Sequence, residues 1–139
     1  VTTKILTLEK DLFFSVKIRD TLRHHDMDVA VVRNLSAFET RLATPDIPRP
    51  DLAIINISIQ GVDWEAAIRA ARAQHIPILA FGSHMDLDAR AKALQAGARK
   101  VIANSKFASD MPGLVQRMLT SLANAQDEED ADTENASKE

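Results

Sequence analysis

Pro50-Asp51-Leu52-Ala53-Ile54-Ile55-Asn56-Ile57 is an apolar run with β-branched residues at 54, 55 and 57 and an amide inside its far end. Apolar residues follow one another instead of alternating with polar ones, as in a strand covered on both faces. Pro45, Pro48 and Pro50 precede its apolar part, Leu52 to Ile57, stop any helix before it and force an extended approach. Four similar runs lie at intervals of roughly 23–25 residues: Ile5-Leu6-Thr7-Leu8, Val29-Ala30-Val31-Val32, Ile76-Pro77-Ile78-Leu79-Ala80-Phe81 and Val101-Ile102-Ala103. Pro77 stands near the start of its run, where a missing ladder donor does least harm.

The segments between the runs are helical in pattern. Phe14, Ile18 and Leu22 repeat every fourth residue and predict a first helix ending near His25. Ser36 and Glu39 have capping-box spacing and predict a second helix through Leu42. Trp64, Ala67, Ile68 and Ala71 mark a third helix from about Trp64 to Gln74, where Trp64 reads as packing. The fourth is expected from about Leu87 to Ala96, with Gly97 as a left-handed cap. A fifth begins after Ser109 or Asp110, with Pro112 in its first turn and Leu114, Val115, Met118 and Leu122 facing inward.

Five strand–helix alternations predict an α/β fold, a parallel sheet with helices on both faces. Five strands in ~125 residues favour the flavodoxin-like doubly wound (βα)5 order 2-1-3-4-5. Ligands then bind beyond the carboxyl ends of the strands, at the switch point between the first and third. That rim consists of Glu9, Lys10 and Asp11, Asn56 through Gly61, Gly82 and Ser83, and Asn104 through Lys106.

Composition narrows the function classes. The chain has 139 residues, no cysteine and a formal charge of −3, so disulfides, cysteine-zinc sites and thiol nucleophiles are excluded. The N-terminal stretch reads as no signal peptide and no run approaches a membrane span, which makes a cytoplasmic location the expectation. From Asp127 to Glu139 there are seven acids and one lysine, while the other 126 residues hold 16 bases and 13 acids. Residues 1–123 are thus expected to form the folded domain, with 124–139 an acidic disordered tail. No clustered basic face suggests nucleic acid. His24 and His25 suit the negative end of the first helix, and His75 and His84 have no partner at ligand spacing, so no metal site is expected. The four glycines are too scattered for a phosphate loop, which argues against a flavin carrier of the same fold; no cofactor is expected.

Three segments together resemble the bacterial response-regulator receiver family over about residues 3 to 123. Pro50 through Trp64 resembles the family's third strand and following loop, Ile76 through Phe81 its fourth strand, and Ala93-Leu94-Gln95-Ala96-Gly97-Ala98 the end of its fourth helix. The resemblance implies a two-component signalling role. Receivers accept a phosphoryl group on an aspartate closing the third strand, with Mg²⁺ held partly by two acids after the first strand. A lysine after the fifth strand and a Ser/Thr after the fourth contact the phosphoryl oxygens.

Those positions fall on Asn56, on Glu9 and Lys10, on Asn104 and on Gly82. Of these only Glu9 keeps the family's character. An amide is a poor nucleophile, Lys10 brings a positive charge to the metal's place, Asn104 removes a cation and Gly82 lacks the hydroxyl, with Ser83 next to it. Ser105 and Val101 also depart from the family's usual proline and Tyr/Phe. Hard divalent ions want several charged oxygens, so the two readings of Lys10 are that it pairs with Glu9 or reaches over Asn56 in the metal's place, and that it points into solvent. The expectation is a pseudo-receiver, non-enzymatic, acting as a phosphorylation-independent interaction module for another signalling protein. Its expected contact surface, also a dimer face, is the fourth helix, fifth strand and fifth helix, where Arg90, Lys92, Arg99, Lys100 and Lys106 cluster. The alternatives are a non-standard acceptor, Ser58 or Asp63, and a small-molecule sensor using the vacated pocket.

Overall fold

The computed structural model describes residues 2–83 and 86–129. Its strands are β1 (Thr3–Leu8), β2 (Met27–Val32), β3 (Leu52–Asn56), β4 (Ile78–Gly82) and β5 (Lys100–Ala103). Between and after them run α1 (Leu12–Arg23), α2 (Leu35–Ala43), α3 (Trp64–Ala73), α4 (Leu87–Ala96), α5 (Asn104–Ser109) and α6 (Met111–Glu129). The strands form one parallel sheet in the order β2-β1-β3-β4-β5, the flavodoxin-like arrangement the sequence predicts. Leu8 lies opposite both Val32 and Ile55, and Asn56 opposite Phe81, which brings the ends of β1, β3 and β4 to one rim.

Two cores cover the sheet. On one face Leu6, Leu8, Ile55 and Ala80 pack with Phe38 of α2, Ile68 of α3 and Ala93 of α4. On the other, Ile5, Ile54 and Leu79 meet Ile18 and Leu22 of α1 and Leu114, Val115 and Met118 of α6. Near the rim of this second core Phe81 stacks on Phe107 with ring centroids 4.4 Å apart, and Phe14 meets both rings edge-on at 5.5 and 6.1 Å. Such pairs add to the stabilisation from burial alone.

Four of the helices open on an acid or amide whose side chain accepts a backbone N–H: Asp11, Asn34, Asp63 and Asp86. Asn34, not Ser36, caps α2, because its extended backbone aims the side-chain oxygen at the Ala37 N–H, 2.8 Å away. The first helix stops at Arg23 and His24 becomes its cap, Nδ1 donating to the Asp20 carbonyl at 2.6 Å. Gly97 closes α4 at φ +124°, in the positive-φ region that glycine tolerates best.

The C-terminal third differs from the sequence reading. A separate helix, α5, precedes the expected one, which starts at Met111. Ala103 offers α5 no side-chain cap, and its six residues are held instead by burial of Phe107. The boundary expected at residue 123 falls inside α6, which continues through good helix formers, Ala125, Gln126 and Glu128 among them, to Glu129. Residues 130–139 of the expected tail lie outside the described residues. Among the described residues, no helix is long and apolar enough to cross a membrane.

Candidate functional site at the carboxyl ends of the strands

Glu9 follows β1 at the switch point and is buried, 1% exposed. Its carboxylate is occupied from two sides. Lys10 N–H and Asp11 N–H donate to Oε2 at 2.8 and 3.1 Å, and the Asn56 amide Nδ2 donates to Oε1 at 2.9 Å and Oε2 at 3.0 Å. The two backbone donors sit at the start of α1, where the helix dipole also favours an anion. On its other side Asn56 Oδ1 accepts from Ser58 N–H at 2.8 Å. These neighbours fix the amide's orientation, because a carboxylate only accepts and a backbone N–H only donates.

Lys10 neither pairs with Glu9 nor reaches over Asn56; it is exposed, as in the solvent-pointing reading. Its Nζ lies 3.5 Å from the Gln60 carbonyl oxygen, beside Gly61, and it forms no ion pair among the described residues. It therefore lies between the loop after β1 and the loop after β3. The Glu9 oxygens are met by neutral donors, three on Oε2 and one on Oε1.

Gly82 closes β4 and is buried. A Cβ at this position would stand 2.7 Å from Ser58 Oγ and 2.8 Å from Ile57 Cγ1, too close for either. The space that a hydroxyl side chain on β4 would fill is held by the Ser58 hydroxyl, which accepts from Ser83 N–H at 2.7 Å. Sequence reasoning named Ser58 only as an alternative acceptor and missed this exchange. The signal available was a glycine at one position and a small hydroxyl residue two places beyond Asn56. Asp63, the other alternative acceptor, caps α3 through Ala66 N–H at 3.0 Å.

Asn104 is not brought into this cluster. It is exposed, opens α5 and makes no side-chain hydrogen bond to the pocket among the described residues. His84, the neighbour of Ser83, lies outside the described residues. Among the described residues no group of three His, Asp or Glu side chains is placed to hold a metal ion.

Solved structures share this architecture. A Chloroflexus aurantiacus protein classed as a response regulator superposes with a TM-score of 0.75 at 18% identity, covering 86% of this chain and 99% of that one. A CheY-like receiver domain protein of Methanospirillum hungatei gives 0.73 at 15% identity, over 89% and 98% of the two chains. The phosphorylated cyanobacterial phytochrome response regulator RcpA gives 0.71 at 16%, over 85% and 91%. The fold is that of response-regulator receiver domains. No protein-family model matches the sequence, and no curated protein matches it. At these identities the likeness concerns the receiver fold alone.

The bases expected on the contact face of this receiver fold divide into two groups. Arg90 reaches the Val101 carbonyl at 3.4 Å, and Lys92 pairs with Asp88 at 3.2 Å. The hydrogen bond and charge of Asp88 raise the Lys92 pKa, so the ammonium is kept through the usual lysine range and is lost only as pH rises through the raised value. Both side chains are exposed, and salt screens the pair. Arg99, Lys100 and Lys106 are exposed and form no ion pair among the described residues, and Leu87 and Leu94 of α4 are exposed beside them in sequence.

Proposed function

We propose that this chain is a pseudo-receiver: a non-enzymatic signalling module in a bacterial cell that binds another signalling protein without taking a phosphoryl group. The observation that carries the reading is the bond from Asn56 to Glu9. It puts an amide at the acceptor position and uses both oxygens of the one family-like carboxylate. An amide nitrogen that donates is no nucleophile, and a carboxylate met by three donor groups offers a hard cation little.

Three contacts support the reading further. Glu9–Asn56 joins the ends of β1 and β3, Ser58–Ser83 joins the loops after β3 and β4, and Lys10–Gln60 spans the loops after β1 and β3. The rim is cross-linked by its own side chains, so no covalent input is required to bias one arrangement over another. Output is then constitutive docking or control by partner and oligomeric state. The proposed contact face, for a partner or a second copy, is α4, β5 and α6, with Leu87 and Leu94 among Arg90, Arg99, Lys100 and Lys106.

Incubation with acetyl phosphate and Mg²⁺ tests the absence of phosphoryl chemistry. Intact mass spectrometry is expected to find the chain unchanged. A stoichiometric gain of one phosphoryl group, at Ser58, Asp63 or elsewhere, would overturn the proposal.

A further inference from the structure

The end of the sheet away from Glu9 and Asn56 is rich in cations. Arg49, Arg72, Arg99 and Lys100 are exposed there and form no ion pair among the described residues. The turns that enter β4 and β5 bring them together. Arg49 Nε and Nη2 donate to the Gln74 carbonyl at 3.1 and 2.6 Å, just past α3 and next to His75. Arg72, in the last turn of α3, lies over Gly97, where a Cβ would stand 2.9 Å from its Nη1. Arg99 N–H donates to the Ile78 carbonyl at 2.9 Å, and Lys100 stands opposite Leu79. Neither turn, residues 74–77 or 97–99, contains an acid. Of the acids at this end, Asp28 pairs with Lys4 at 3.0 Å and Asp51 accepts Lys4 N–H at 2.8 Å, both against β1.

The same end is where α6 emerges. This helix starts beyond the carboxyl end of β5 and runs back along the sheet, with Leu114, Val115 and Met118 in the core that holds Ile102. From Met111 to Leu122 it covers ~17 Å, about the length of a five-residue strand, so Leu122 is level with the amino ends of the strands. Lys100 shares a sheet face with Ile102, and hence with α6. The chain then turns acidic: Asp127 to Glu139 holds seven acids and one lysine, a net of 1 − 7 = −6. We infer that this acidic segment docks on Arg49, Arg72, Arg99 and Lys100 of its own chain. Residues 130–139 reach up to ~33 Å when extended, against ~19 Å across five strands, and a tether this short gives an effective concentration on the order of millimolar. Other cations are worse placed: Lys106 stands past the carboxyl end of β5, and Lys17 and Arg19 flank Asp20 in sequence. A nucleic acid or other free polyanion would be repelled by the acids tethered beside the same cations. Covering Arg99 and Lys100 masks one end of the contact face proposed above; that consequence rests on the proposed function, whereas the docking itself does not.

The chain has no cysteine, so Ser137→Cys supplies a single attachment point for a nitroxide label. Amide NMR of the labelled full chain is expected to show loss of peak intensity at Arg49, Arg72, His75, Arg99 and Lys100, and little at Lys17, Arg19 and Lys106. In about 1 M NaCl, where screening acts beyond ~3 Å, the loss is expected to disappear. Arg99→Glu with Lys100→Glu is expected to abolish it too, with the melting temperature unchanged because both side chains are exposed. If that variant fails to fold, Asp130→Asn with Asp132→Asn and Glu134→Gln removes charge from the other partner, and is expected to weaken the loss. The sample holds no Mg²⁺, phosphodonor or partner, so failure here leaves the proposed function standing. Intensity loss centred on α1, loss that survives salt and charge removal, loss transferred to a separate unlabelled copy, or no loss at all would overturn the inference.

Discussion

Asn56→Asp is expected to lower stability by about 3 kcal/mol at neutral pH and to create a magnesium dependence that the wild-type chain lacks. The substitution is nearly isosteric, so packing does not decide its effect. It replaces the donor that now meets both Glu9 oxygens at 2.9 and 3.0 Å with a second carboxylate. Two carboxylates at that separation inside a buried site repel, and one of them in the variant binds a proton more readily than in the unfolded chain. A carboxyl with its folded pKa raised is stabilising below its unfolded pKa, and that contribution is lost as pH rises through the folded value. The variant is therefore expected to approach wild-type stability in mild acid and to fall behind toward neutrality. At neutral pH a divalent cation offers the same relief, because the pair supplies the charged oxygens that hard cations seek. Denaturant melts across pH, with and without Mg²⁺, check both parts. A variant as stable as wild type at neutral pH and indifferent to Mg²⁺ would show that Glu9 and Asn56 are not coupled as described.

Phe81→Ala is expected to cost about 4 kcal/mol, mostly as a cavity the surroundings cannot close. Phe81 is 1% exposed at the end of β4, stacked on Phe107 at 4.4 Å and met edge-on by Phe14 at 5.5 Å. Removing the central ring withdraws contacts from α1, β4 and α5 together. The helix least supported by local signals, α5, is expected to lose hydrogen-exchange protection first. Denaturant unfolding measures the loss of stability, and amide exchange at Lys106 and Phe107 measures the loosening. Unchanged exchange there would mean that α5 is held by something other than Phe107.

The parts of this fold legible in the sequence are those whose signals are local and repeated. Leu52 through Asn56, buried on both faces, reads as an internal strand from its unbroken apolar character, and Leu87 to Ala96 is bounded by a helix-like pattern and Gly97. The short α5 has no such signal, because it depends on where Phe107 lands in three dimensions. Ser36 and Asn34 illustrate a similar limit: both are good caps, and only the backbone angle at Asn34 selects between them.

The site divides in the same manner. Glu9 and Asn56 are found together because strand ends converge at a switch point, and the resemblance marks them. The role of Ser58 depends on the space left by Gly82, a relation between two strands that no single stretch of sequence contains. Lys10 stands beside the pocket, yet its Nζ lies near a backbone carbonyl while Glu9 takes donors from Lys10 N–H, Asp11 N–H and Asn56. Asn104, the position that the resemblance gives to a lysine, stands at the head of a helix, away from the hydrogen-bonded cluster.

The central claim is that this rim is closed by its own residues and takes no phosphoryl group. An amide NMR titration of the wild-type chain with Mg²⁺, followed by beryllofluoride as a phosphoryl mimic, tests it most directly. The account expects the amides of Glu9, Lys10, Asn56, Ser58 and Ser83 to stay where they are through both additions. Saturable shifts at those five residues would show that the pocket still binds the metal and the mimic, and would contradict it.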